Sequence, residues 1–183
     1  MPEEVLVSLE TGDDAAAYAL DERRALLASV DFFTPIVDDP YDWGRIAAAN
    51  AFSDIYAMGG EPALALNLVS WPVEELPLEL LGEVLRGGAD VAREAGAVVV
   101  GGHSITDPEP KYGMVALGFA PRDGLVRNST AVAGAGLFLT KPLGTGIIST
   151  AIKAGRASRE QVRAAVDAMV ALNAAAARAM VAA

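Results

Sequence analysis

The sequence predicts an α+β fold in which a mixed β-sheet carries helices on one face. Three observations point there. The apolar and helical periodicities follow the order strand–strand–helix–strand–helix–strand–strand, which suits a single sheet with helices laid across it. The strand segments Ala25–Val30, Ala63–Val69 and Met114–Phe119 are apolar with little alternation, which implies burial on both faces. The two helices in that span cover one face, so the other face is expected to pack against a second copy of the chain.

The elements follow in order. Ala15–Leu20 and Ala25–Phe33 read as strands joined by the charged turn Asp21-Glu22-Arg23-Arg24. Pro35 and Pro40 punctuate the next loop, and Asp39, Pro40 and Asp42 suit a helix start. That helix is predicted from Tyr41 to Met58, stopping at Gly59-Gly60, with alanines that permit close packing on a sheet. Ala63–Ser70 reads as a buried strand. Pro77–Ala95 places Leu78, Leu81, Leu85, Ala89 and Ala92 at helical spacing, with Gly96 as the C-terminal stop. Ala97–Val100 and Met114–Phe119 read as two further strands.

Arg122–Gly134 is polar with a Gly-rich end and is the predicted boundary between domains 1–134 and 135–183. Beyond it, Leu137–Thr140 reads as a short strand leading into Pro142-Leu143-Gly144, followed by a helix over Thr145–Ala154. Ser158 and Gln161 form a capping box that opens a last, Ala-rich helix running to the C-terminus.

Composition excludes several functions. The net charge is −10 with pI near 4.5, the wrong sign for a nonspecific nucleic-acid surface. With no cysteine there are no disulfides or thiolate metal sites, and a single histidine rules out a multi-histidine centre. No apolar run is long enough for a membrane span, and Met1-Pro2-Glu3-Glu4 lacks the basic start of a signal peptide. A soluble, cytoplasmic protein is the expectation.

What stands out chemically is a set of aspartates on three segments. Asp13-Asp14 lie in Thr11–Ala16, Asp31 ends the apolar run Leu26–Val30, and Asp54 lies four residues after Asn50, on the same face of the predicted helix. Carboxylates beside apolar backbone are costly unless they meet something positive. Converging oxygen donors suit a hard cation, with Mg²⁺ bridging to phosphate the common case. Blander readings stand beside each. Asp13-Asp14 is also an ordinary Gly-Asp turn, Asp31 a solvated strand end, and Asn50/Asp54 a polar helix face, although alanines rather than lysines surround it. Gly101-Gly102-His103-Ser104 follows a valine strand, where glycines permit close approach of phosphate or simply make a turn. Lys141–Gly146 lacks the spacing of a Walker A loop and reads as a strand-to-helix turn.

The segments Asp31–Pro40 (DFFTPIVDDP), Gly44–Gly60 (GRIAAANAFSDIYAMGG), Gly101–Pro110 (GGHSITDPEP) and Leu139–Gly146 (LTKPLGTG) resemble the selenide, water dikinase family, the selenophosphate synthetases. The likeness runs from about Thr11 to Asn173. Either of the middle two motifs alone points to a wider superfamily that includes aminoimidazole ribonucleotide synthetase and thiamine-monophosphate kinase. The resemblance implies synthesis of selenophosphate, AMP and phosphate from ATP, selenide and water. It implies Mg²⁺ at Asp14, Asp31 and Asp54, and ATP contacts from Thr11, Gly12, Asp13, Asp31 and Asp54. It implies that Gly102, His103 and Ser104 contact ATP held mainly by the partner subunit of a homodimer. The family pattern starts with a Gly-rich segment bearing a reactive Cys or selenocysteine and a Lys. This chain has no Cys, and its lysines are Lys111, Lys141 and Lys153. No catalytic residue of that kind is therefore assigned, and the chain is expected to be an incomplete, weak or inactive piece of such an enzyme. The alternatives are another ATP-dependent small-metabolite kinase or synthetase of the superfamily, or a noncatalytic dimerisation module.

Overall fold

The computed structural model describes residues 1–183. A six-stranded sheet has the order β1-β2-β3-β6-β4-β5, formed by β1 (Val5–Val7), β2 (Ala16–Ala19), β3 (Arg24–Phe33), β4 (Glu61–Trp71), β5 (Val98–Thr106) and β6 (Lys111–Pro121). It is mixed. Strand β6 runs antiparallel between β3 and β4, while β4 and β5 are parallel. The β2–β3 hairpin is set by its charged turn, where the Asp21 carboxylate accepts from the backbone N–H groups of Arg23 and Arg24 and from Arg24 Nε. Strand β1 has no counterpart in the sequence reading, because three residues are too few to show a period.

Helix α1 (Pro40–Ala57) starts as its sequence dictates: Asp39 caps it by accepting from Asp42 N at 2.9 Å, and Pro40 occupies the first turn. It is the spine of the core. Trp43, Ala47, Ala51, Phe52 and Ile55 are buried along it. Helix α2 (Leu78–Glu94) crosses α1 where glycines replace side chains. A Cβ on Gly44 would lie 2.0 Å from Val84 O, and one on Gly87 2.2 Å from Tyr41 O. The buried stripe of α2 is Val84, Gly87, Gly88, Val91 and Ala92, so the predicted Leu78 anchor is instead 61% exposed. Gly96, just past the end, has φ +76°, a left-handed stop that favours glycine. Trp43 stacks on Trp71 with ring centroids 6.5 Å apart and meets Tyr112 edge-on at 6.2 Å, tying α1 to β4 and β6.

Both helices lie on the face formed by Ala25, Leu27, Ala65, Val69, Met114 and Ala116, all buried. The opposite face lacks a cover in the monomer: Val30, Phe32 and Phe119 are 57%, 55% and 43% exposed. The helices thus sit on one face, as the sequence predicts.

Residues 135–183 carry three helices, α3 (Thr145–Lys153), α4 (Arg159–Val170) and α5 (Ala174–Ala182). The predicted capping box is present, with Ser158 and Gln161 exchanging hydrogen bonds at the start of α4. Two expectations need correction. Leu137–Thr140 forms no strand, with Leu137 and Phe138 99% and 91% exposed; a segment with no neighbouring strand has no ladder to join. The single last helix is two, broken at Ala171–Asn173. There Lys141 donates to the Ala171 carbonyl and Asn173 Nδ2 donates to Ser53 Oγ at 3.0 Å, so tertiary contacts override an alanine-rich local preference. No single helix is long and apolar enough to cross a membrane.

Candidate functional site

The aspartates meet where α1 crosses β3. The helix runs antiparallel to the strand beneath it, so two rungs form. Asn50 Nδ2 donates to Asp31 Oδ2 at 2.9 Å, and Ser29 Oγ donates to Asp54 Oδ2. The match is geometric: four residues of helix rise about 6 Å, and two residues of strand span about 6.6 Å. The i,i+4 spacing of Asn50 and Asp54 thereby selects alternate residues of β3, which also explains why Ser29 belongs to the site. Ser29 stands two residues before Asp31, on the same strand face, and that period is the signal in the sequence that points to it.

The electrostatics are those of neighbouring carboxylates. Burial, and then the charges of Asp31 and Asp14, push the Asp54 carboxyl up to about 6, against the pull of the Ser29 hydroxyl. Asp14 is exposed at the mouth, just before β2. Asp13 acts differently, through the loop around it. Asp13 Oδ1 accepts from Asn128 N at 2.6 Å and Oδ2 from the Thr11 hydroxyl, while Asn128 Nδ2 donates to Gly12 O at 2.9 Å. The Thr11 hydroxyl and then the Asn128 amide hold its carboxyl below the usual range. Thr11, Gly12 and Asp13 therefore clasp the loop that presents Asp14.

No three His, Cys, Asp or Glu side chains stand together at coordination spacing. Mg²⁺ commonly takes one or two carboxylates and leaves the rest of its shell to water and phosphate oxygens. The donor set fits such an ion, because Asp54 is a half-buried carboxylate whose charged form gains from any adjacent cation.

Gly102, His103 and Ser104 lie within β5, a strand longer than its predicted Val100 end, rather than in a turn. A Cβ on Gly102 would fall 2.2 Å from Asn67 O, so the β4–β5 approach itself requires glycine there. Asp31, Met114, Asn67 and Gly102 form one row across the sheet. Three strand spacings, about 14 Å, separate the two ends of that row. The segment is thus apart from the aspartates of its own subunit. A concavity of about 850 Å³ lies elsewhere, around Asp21, Arg24 and Asp123, and its Asp21–Arg24 charges already pair with each other.

Sheet order, cradle and helix placement define a class. The family described as AIR synthase related protein, N-terminal domain, matches residues 12–120, and the chain belongs to it. Among solved structures, AaThiL complexed with AMPPCP and TMP has a TM-score of 0.80 at 20% identity, covering 94% of this chain and 58% of that one. Thiamine-monophosphate kinase from Stenotrophomonas maltophilia K279a has a TM-score of 0.75 at 19% identity, covering 99% and 60%. These likenesses show the fold.

Sequence relatives are more specific. The chain is 55% identical over 161 residues to selenide, water dikinase of Bordetella bronchiseptica, covering 88% of this chain and 47% of that protein. It is 53% identical over 171 residues to selenide, water dikinase of Caldanaerobacter subterraneus subsp. tengcongensis, covering 93% and 49%. The chain thus spans about half the length of these relatives.

Proposed function

We propose that this chain is the nucleotide-binding part of a selenide, water dikinase, which converts ATP, selenide and water to selenophosphate, AMP and phosphate. The observation that carries the reading is Asp54, a half-buried carboxylate facing Asp31 and Asp14 in a chain about half identical to enzymes of that name. Phosphoryl transfer of this kind rests on positioning and charge neutralisation. Mg²⁺, when bound, supplies that neutralisation at the phosphate oxygens. Asp54, Asp31 and Asp14 would supply its carboxylates, one or two of them directly and the rest through its waters. Ser29 and Asn50 orient two of those carboxylates, and Thr11, Gly12 and Asp13 fix the entry loop and contact the nucleotide.

The exposed sheet face supports a homodimer in which Gly102, His103 and Ser104 of each subunit contact the nucleotide held by the other. The separation of about 14 Å within one subunit is what such an arrangement needs.

Titration calorimetry tests the reading. ATP should bind with Mg²⁺ and bind weakly without it, and Asp54→Asn should remove the difference. Metal-independent binding, or no effect of Asp54→Asn, would overturn it.

A further inference from the structure

The joint between the sheet domain and residues 135–183 encloses a cavity of about 420 Å³, between the end of β3, α1 and α4. It adjoins the carboxylates through Asn50, which lines it and donates to Asp31. Most of its wall is apolar or neutral. Its one charged lining group is Lys141, joined by the hydroxyls of Ser53 and Thr145.

Lys141 is in an unusual position for a lysine. It is partly buried, and its ammonium donates to a neutral acceptor, the Ala171 carbonyl that ends α4. No carboxylate pairs with it, in contrast to Lys111, which pairs with Asp107 and Glu109. Burial lowers its pKa with no opposing charge. An ammonium partly withdrawn from water and without a counter-charge gains from an anion that reaches it. One donor engages Ala171, which leaves two of the three for such an anion. Thr145 opens α3, whose first-turn amides have no acceptor within the helix and favour the same sign of ligand.

We propose that this cavity is a subsite for a phosphate-type oxyanion, with Lys141 as the charged group that recognises it. The proposal deepens the nucleotide reading and rests on it for the source of the anion. A phosphate chain held at the aspartates would reach the cavity past Asn50, which lines it and bonds Asp31. The subsite then takes either the terminal phosphoryl group or free phosphate. The cradle and the subsite divide the work: carboxylates hold the metal and Lys141 holds the oxyanion, with Asn50 between them.

The test uses inorganic phosphate as the probe, without metal or nucleotide, followed by titration calorimetry and ³¹P line broadening. Saturable binding is expected. Lys141→Gln keeps a donor for Ala171 but removes the charge, and should weaken binding roughly tenfold or more. Lys141→Arg should retain it. Phosphate should also protect Lys141 of the unaltered chain from acetylation, read by mass spectrometry, so the result does not depend on a variant folding. Absence of phosphate binding, equal binding by Lys141→Gln, or unprotected Lys141 would each overturn the proposal. Displacement of phosphate by a nonhydrolysable ATP analogue with Mg²⁺ would support the terminal phosphoryl as occupant, and simultaneous binding would support free phosphate. Lys141-dependent phosphate binding with no Mg²⁺-dependent nucleotide binding would sink the nucleotide reading and keep the anion subsite.

Discussion

Asp54→Asn removes one charge from the cradle while keeping the side chain's shape and an oxygen for Ser29 to donate to. Burial, with Asp31 and Asp14, raises the Asp54 carboxyl from 3.8 to about 6. Each tenfold change in proton affinity is worth about 1.4 kcal/mol, so the full effect would be about 3 kcal/mol. The group is only half-buried, and solvent screening reduces this to about 1–1.5 kcal/mol. The sign follows from the raised value. The folded protein holds the proton more tightly than the unfolded chain, so stability is greatest below about pH 4 and falls as pH rises through about 6. Without metal at pH 8, the variant should therefore melt above the wild type by about 2–6 °C, given about 2–4 °C per kcal/mol for a chain of this size. Below about pH 6 the gap should narrow, and it should close only below about pH 4, where Asp54 is protonated in the unfolded chain as well as in the folded one. With Mg²⁺ and nucleotide the order should reverse, since ligand stabilises only the form that binds it. Paired melts at about pH 3.5 and pH 8, with and without ligand, make the assay. A variant less stable than wild type at pH 8 without metal, yet binding nucleotide normally, would show that Asp54 is a structural group.

Other outcomes are expected on the same grounds. Ser29→Ala removes the donor that favours the Asp54 anion, so the Asp54 titration followed by carboxyl NMR should move above about 6; an unmoved midpoint would separate Ser29 from the site. Phe32→Glu combined with Val30→Glu should abolish the proposed homodimer in sedimentation at micromolar concentration, because both side chains lie on the uncovered sheet face; an unaltered sedimentation profile counts against that interface. Gly44→Ala puts a Cβ 2.0 Å from Val84 O, backbone against backbone, and should destabilise by about 1–3 kcal/mol in a denaturant titration.

The parts legible in the sequence are those with local causes. Asp39 and Pro40 start α1, Gly96 stops α2, and Ser158 with Gln161 opens α4, each by side-chain or backbone chemistry within a few residues. Asp54 and Asn50 are visible as a pair because helical spacing puts them on one face. What escapes is tertiary. The break at Ala171–Asn173 depends on Lys141 and Ser53, distant in sequence. The β5 extension through Gly101-Gly102 depends on Asn67 backbone fitting against Gly102, so a signal that reads as a turn is a strand contact. Leu137–Thr140 shows the converse, a β-favouring composition left without a ladder.

The Asp13–Asn128 clasp has a consequence for motion. It joins residues 115 apart in sequence through exposed hydrogen bonds. Contacts of such long range and little burial form late in folding and open early. The entry loop should therefore exchange its amide hydrogens far faster than β3 or β6, by sub-global opening that leaves the sheet intact. Each opening would carry Asp14 out of position, so the apparent affinity of the proposed site for metal would be scaled by the fraction of time the clasp is shut. An arriving nucleotide would slow that exchange at Gly12 and at Asn128 together, linking two ends of the domain through one fluctuation.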